Sequence, residues 1–178
     1  AHSGGIFRSC SLQLGSNEEK ELLKMNQQVL KAFGMQFSAS HTEIIKNRET
    51  GQLYFLETSS RVGGAHIAEQ VEFATGINLW KEWAKIEVCM AKGKTYQLPP
   101  VKKDYSGIII SLTRQEKPDD SAFNDPEICW RLQNLDHHIG FILKSGNQNR
   151  IMELLETYAQ RIYADFHASA PAPDKPAH

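Results

Sequence analysis

The stretch that decides the fold runs from Leu53 to Gln70 and reads LYFLETSSRVGGAHIAEQ. It opens with four apolar residues that favour a β-strand, and this strand ends on the carboxylate of Glu57. Arg61 follows four positions later, and a Gly-Gly pair then precedes a helix-like pattern. Two interpretations fit this order: an ordinary strand, polar turn and helix start, or a site that holds a metal and a phosphate.

The stretch belongs to a predicted β-hairpin. Two β-rich runs, Ser40–Lys46 and Gln52–Thr58, flank the Gly-containing loop NRETG, a pattern typical of antiparallel arms. Glu43 lies on the first arm and Glu57 on the second, so antiparallel pairing would bring the two carboxylates together. Such a pair repels itself unless a cation lies between the groups. Because Mg²⁺ prefers oxygen ligands, the hairpin predicts a metal site with Glu43 and Glu57 as ligands.

The residues after Glu57 add groups that bind anions. Ser59 shares the face of Glu57 if the strand continues, and it is a candidate third metal ligand. The Arg61 guanidinium is suited to bidentate contact with phosphate or carboxylate. Gly63 and Gly64 allow backbone N–H groups to approach an anion closely, next to a helix N-terminus.

A purely structural interpretation of these residues stays open on composition alone. In it, Glu43 forms an ordinary ion pair with Arg48 or Arg61, and the Gly-Gly pair is a plain loop. A Gly-Gly pair before a helix is a weak signal without its structural context.

The rest of the chain alternates strands and helices. Ser16 and Glu19 have the spacing of a capping box and predict a helix over Asn17–Phe33. Because the predicted hairpin is antiparallel, the order of elements favours an α+β fold over a doubly wound parallel sheet. The other predicted elements are strands within 5–14, 105–113 and 137–145, and helices within 64–76, 78–93 and 147–166; the segment 117–126 is predicted to be a loop.

Composition narrows the classes of partner. The formal net charge of the 178 residues is −1, which gives no electrostatic reason to expect nucleic acid. No apolar run approaches the roughly 20 residues of a membrane helix, so no membrane partner is expected. Cys10, Cys89 and Cys129 are widely spaced and lack a CxxC motif, as expected for free thiols in a reducing cytoplasm.

The hairpin and the segment after it, HTEIIKNRETGQLYFLETSSRVGGAHI, resemble the C-terminal lobe of the ATP-grasp fold, in its amino-acid ligase branch. The resemblance implies that Glu43 and Glu57 bind Mg²⁺ or Mn²⁺, which bridges the phosphates of ATP. It implies that Arg61 contacts the nucleotide and stabilises an acyl-phosphate as a catalytic residue. Arg61, Gly63 and Gly64 would also hold the carboxylate of the substrate, and an amine would be the second substrate.

The sequence departs from the family at two points. Ser59 stands where the family usually has a metal-binding asparagine, which favours a second hypothesis, a binding module without catalysis. No Gly-rich loop with a lysine precedes the hairpin, so we expect the chain to be part of a larger enzyme, inactive without an N-terminal ATP-grasp lobe. A biotin-carboxylase-like enzyme that uses bicarbonate is a third alternative, against which the R-x-G-G segment argues mildly.

The predicted domain organisation has three parts. Residues 1–93 would form the C-terminal ATP-grasp lobe, and residues 94–166 would form a small α/β subdomain after the break at Pro99-Pro100. The Ala/Pro-rich residues 167–178 are predicted to be a disordered tail. A homodimer is compatible with the sequence.

Overall fold

The computed structural model describes residues 5–168 and has an α+β architecture, so the predicted fold class is confirmed. Its chain divides into two compact units. The first combines the chain up to Ser11 with the chain from Asp104 onward, and the second is Leu12–Lys103. The elements are β1 (Phe7–Cys10), α1 (Asn17–Ala32), β2 (His41–Lys46), β3 (Leu53–Ser59), α2 (Ile67–Thr75), α3 (Leu79–Ala91), β4 (Tyr105–Leu112), β5 (Ile128–Arg131), β6 (His138–Ser145) and α4 (Gln148–Asp165).

The first unit is a four-stranded antiparallel sheet, ordered β1-β4-β6-β5, against which α4 packs. Its core is aromatic and aliphatic, with Phe123, Phe141 and Tyr158 in mutual ring contact and almost fully buried. At Gly107 an added Cβ would come within 2.6 Å of Ile151 Cγ2. A glycine on β4 therefore allows α4 to approach the sheet closely.

The second unit contains the predicted hairpin, as the two-stranded sheet β2-β3, together with α1, α2 and α3. Helix α1 begins where the sequence predicted, because the Ser16 hydroxyl accepts a hydrogen bond from the Glu19 N–H. The Glu19 carboxylate accepts one from the Gly15 N–H. No residue of α1 is fully buried, so this unit has a thin core.

Helix α3 lies within the predicted 78–93 segment, and the Asn78 side chain caps it by accepting a hydrogen bond from the Lys81 N–H. Its buried residue is Glu82, which contacts Lys85 and Tyr96. Apolar periodicity did not reveal this residue, because a carboxylate can be buried when its partners satisfy it.

One strand was not predicted. β5 follows the loop-like segment 117–126 and contains four residues, of which Ile128, Trp130 and Arg131 pair with β6. The division of the chain at residue 93 stays a prediction. His167 forms an isolated bridge with Thr113, and residues 169–178 of the predicted tail lie outside the described part of the chain. Within residues 5–168, no helix combines the length and hydropathy needed to cross a membrane.

Candidate functional site

The loop of the β2-β3 hairpin is held by its first residue. The Asn47 side chain accepts hydrogen bonds from the N–H groups of Glu49 and Thr50, and Gly51 has a φ of 73°. An asparagine that bonds its following backbone, with a glycine in the left-handed region, is a strong local turn signal. Because the turn fixes where the strands meet, it also fixes their register.

This register places the two acids opposite one another. Glu43 pairs directly with Glu57, and two positions along His41 pairs with Ser59. Side chains alternate along a strand, and directly paired residues share a face. The four side chains therefore form a polar patch on one face of the hairpin, which we call the acid face. The predicted proximity of Glu43 and Glu57 is present in the structure.

The hairpin ladder shifts register beside the acid face. Ile44 pairs with Phe55, which leaves Leu56 as an extra residue between Phe55 and Glu57, and such a bulge reverses the alternation of faces. Phe55 consequently lies against Phe33, with ring centroids 6.1 Å apart. Without the bulge, strict alternation would put Phe55 on the same face as Glu57.

His41 joins two parts of the candidate site. Its Nε2 lies 3.3 Å from Glu43 Oε1, and the two side chains are 22% and 46% exposed. On the other edge of the ring, a Cβ added at Gly63 would lie 2.9 Å from His41 Nδ1. The position of His41 two residues before Glu43 predicts that the two share a strand face, as a neighbour of the metal ligands or as an ordinary core histidine, but His41 was not among the predicted site residues.

The Arg61 side chain bonds its neighbouring backbone instead of the two acids. Its Nη1 donates a hydrogen bond to the Val62 carbonyl, 3.0 Å away, so the guanidinium folds along its own backbone. Within the described part of the chain, neither Glu43 nor Glu57 forms an ion pair with an arginine. The structural interpretation of Glu43 as an arginine partner is therefore wrong.

Two residues separate the Gly63-Gly64 pair from the start of α2. Ala65 and His66 both adopt left-handed backbone conformations, with φ of 50° and 59°, and the helix begins only at Ile67. The Ile67 N–H donates to the Gly64 carbonyl. Non-glycine residues in this region cost roughly 1–2 kcal/mol each, and such positions are concentrated at functional sites. Gly63 and Gly64 thus lie in a strained loop that precedes the helix.

The acid face supplies a partial set of metal ligands. Across residues 5–168, no group of three or more His, Cys, Asp or Glu side chains is arranged to hold a metal. Two opposed carboxylates and the hydroxyl of Ser59 fit a cation that takes its remaining ligands from substrate phosphates and water, as Mg²⁺ does. The donor set is therefore compatible with a metal–nucleotide complex.

Solved structures of known enzymes share this architecture. An L-amino acid ligase from Bacillus licheniformis matches with a TM-score of 0.63 and 15% sequence identity, over 95% of this chain and 44% of that one. A phosphoribosylglycinamide synthetase from Anaerococcus prevotii matches with a TM-score of 0.56 and 14% identity, over 92% and 45% of the two chains. The biotin carboxylase domain of a single-chain bacterial carboxylase matches with a TM-score of 0.53 and 13% identity, over 92% and 41%. No protein-family model and no curated protein matches.

This chain has the fold of the C-terminal portion of ATP-grasp enzymes. The resemblance inferred from the hairpin and the Gly-Gly segment is confirmed at the level of the fold. The chain spans less than half the length of each of these three structures. At identities of 13–15%, the likeness carries the fold and leaves the substrates and the site residues to separate argument.

Proposed function

We propose that this chain is the C-terminal part of an ATP-dependent carboxylate–amine ligase. The parent enzyme activates a carboxylate, in our proposal that of an amino acid, as an acyl-phosphate, which an amine then attacks. The observation that carries the proposal is the direct opposition of Glu43 and Glu57 in an ATP-grasp fold. Two like charges directly opposite each other weaken a sheet, so their arrangement favours a function that compensates for the repulsion.

In this proposal Glu43, Glu57 and Ser59 hold Mg²⁺ or Mn²⁺ together with ATP. The bound metal would neutralise the charge of the phosphates, which supplies much of what phosphoryl transfer requires. The roles of the protein are to orient the two carboxylates and to keep them open to the nucleotide. The exposure of Glu43 supports this role, because 46% of its side chain is accessible.

Arg61, Gly63 and Gly64 hold the anionic groups of the reaction. Arg61 is exposed and makes one hydrogen bond to its own backbone, so a rotation of its side chain frees it to contact a phosphate or an acyl-phosphate. The left-handed Ala65 and His66 turn the backbone beyond the glycines, and backbone N–H groups in such a turn form a concave anion site. In our proposal this loop takes the carboxylate of the substrate.

A calorimetric titration of Mg²⁺-ATP into the chain tests this proposal. We expect binding that requires Mg²⁺, and we expect Glu57→Gln, which keeps the shape and removes the charge, to weaken it by at least roughly tenfold. Glu49→Gln is the matched control, because Glu49 is an exposed carboxylate in the loop of the same hairpin. Equal binding by the Glu57 variant, or no Mg²⁺-dependent binding by the unmodified chain, would contradict the proposal.

Two alternatives have observations in their favour. A carboxylase that uses bicarbonate is supported by the likeness to a biotin carboxylase domain, at a TM-score of 0.53. A binding module without catalysis is supported by Ser59, since a serine hydroxyl is a short and weak metal ligand. The binding module predicts that nucleotide binds equally well with and without Mg²⁺, so the same titration separates it from the ligase. We propose the second ATP-grasp lobe as the partner that completes the enzyme.

A further inference from the structure

The His41 ring contacts two separate segments of the candidate site. Its ring lies between the Glu43 carboxylate and the backbone of Gly63, although these residues are 20 positions apart in sequence. One edge of the ring has a polar partner in Glu43, and the other edge packs closely against Gly63. His41 is part-buried, so the surrounding chain restricts its rotation.

The contact with Glu43 has a defined direction. A carboxylate only accepts hydrogen bonds, so the His41 Nε2 must carry the proton and donate to Oε1, 3.3 Å away. This bond occupies one oxygen of Glu43, whose direct cross-strand partner is Glu57. It also limits the freedom of Glu43 to turn away from the like charge of Glu57.

The contact with Gly63 is set by close packing. A Cβ at that position would lie 2.9 Å from Nδ1 and 3.4 Å from Cε1 of His41, so any other residue would push the ring or the loop aside. Gly63 has no positive φ among the described residues. The need for glycine there therefore comes from the imidazole and not from the backbone conformation.

We propose that His41 is a positioning residue that aligns the Glu43 carboxylate for the metal and fixes the Gly63 loop against the acid face. The inference rests on the proposed function, since it assumes that Glu43 is a metal ligand. Removal of a side chain that hydrogen-bonds a metal-ligating carboxylate typically weakens metal binding by about 10–100-fold. His41 couples this alignment to the loop that carries Arg61.

The test measures Mn²⁺ binding to the full chain by electron paramagnetic resonance, without turnover. His41→Phe keeps a flat ring against Gly63 and removes the donor, and we expect it to weaken Mn²⁺ binding about tenfold or more. His41→Gln keeps an N–H donor within reach of Glu43 and should restore most of the affinity. Thr42→Val is the matched control, because it removes the Thr42–Thr58 hydrogen bond on the opposite face of the same strand.

A second readout uses the amide signals of Gly63 and Gly64 in nitrogen-15 NMR spectra of the metal-free chain. We expect His41→Ala to shift both signals and Thr42→Val to leave them in place. Gly63→Ala should weaken Mn²⁺ binding as His41→Phe does, because the new methyl group displaces the ring.

The outcomes separate this inference from the proposed function. If the unmodified chain binds Mn²⁺ and His41→Phe binds it equally well, the role of His41 is wrong while the metal site stands. If His41→Gln binds Mn²⁺ as weakly as His41→Phe does, the proposed donor role of His41 is likewise wrong. If the unmodified chain binds no Mn²⁺, both the metal site and the alignment role fail. Unchanged Gly63 and Gly64 signals in His41→Ala would overturn the coupling to the loop.

Discussion

The two units of the chain differ in how completely they bury their apolar side chains. In the first, β4, β6 and α4 enclose a core in which Phe141, Tyr158 and Ile162 have no exposed surface. In the second, α1 buries no residue fully, and large apolar side chains of the hairpin such as Tyr54 and Leu56 are about half exposed. The unit with the weaker core carries the candidate site.

This difference separates stability from function within one chain. A two-stranded sheet has little independent stability in water, and opposed carboxylates add repulsion to it. The second unit contains both the two-stranded sheet and the opposed carboxylates, and it also contains the left-handed residues Ala65 and His66. We infer that the first unit contributes most of the free energy of unfolding, and that the second gains stability when a cation joins the acid face.

The largest expected effect compares one phenylalanine from each unit. Phe141 is fully buried and Phe55 is 36% exposed. We expect Phe141→Ala to cost about 3–5 kcal/mol, because it leaves a cavity, and Phe55→Ala to cost about 1 kcal/mol, mainly its contact with Phe33. Urea unfolding followed by NMR signals from each unit measures both. Similar costs for the two variants would remove the contrast between the units.

A smaller effect tests how closely α4 packs on the sheet. Gly107→Ala would place a methyl group 2.6 Å from Ile151 Cγ2 and 2.7 Å from Leu155 Cδ1, and we expect overpacking to cost about 1–3 kcal/mol. Gly146→Ala is the control in the same unit, since no atom lies within 4 Å of its added Cβ. Thermal unfolding of both variants gives the comparison, and an unchanged melting temperature for Gly107→Ala would mean that the first unit is loosely packed.

The smallest effect appears at acidic pH. The hydrogen bond from Arg150 lowers the pKa of Glu127 below its usual 4.5, and in the second unit the hydrogen bond from Lys85 lowers the pKa of Glu82 in the same way. A lowered folded-state pKa gives stability that is present above about pH 4.5 and is lost as the pH falls through the folded-state pKa.

Unfolding measured from pH 6 to about pH 3 checks this prediction against one glutamine variant for each unit. We expect Glu127→Gln to flatten the pH dependence of the first unit and Glu82→Gln that of the second. If a variant loses as much stability at acidic pH as the unmodified chain does, the replaced ion pair contributes nothing to the pH dependence of stability.

Local signals explain why much of the fold was predictable. Ser16 and Asn78 are caps whose side chains bond the first turn of α1 and α3, and such bonds involve neighbours in sequence. β5 escaped prediction because its four residues depend on pairing with β6. Four residues interrupted by a register shift are too few to show an alternating pattern in the sequence.

The candidate site divides in the same way. The Gly-containing loop NRETG and the positions of Glu43 and Glu57 on its two arms were sufficient to predict that the acids meet. The bulge at Leu56 and the left-handed conformation of Ala65 were not predictable, because neither residue type favours that geometry. Both features depend on the packing around them.

A double-mutant cycle of Mn²⁺ affinity tests whether Glu43 and Glu57 form one metal half-site. We expect Glu43→Gln and Glu57→Gln each to weaken binding by more than roughly tenfold. We expect the double variant to bind no more weakly than either single variant, because loss of one carboxylate already opens the site. Additive losses of binding free energy would show that the two carboxylates act independently, and unchanged affinity in all three variants would show that the acid face holds no metal.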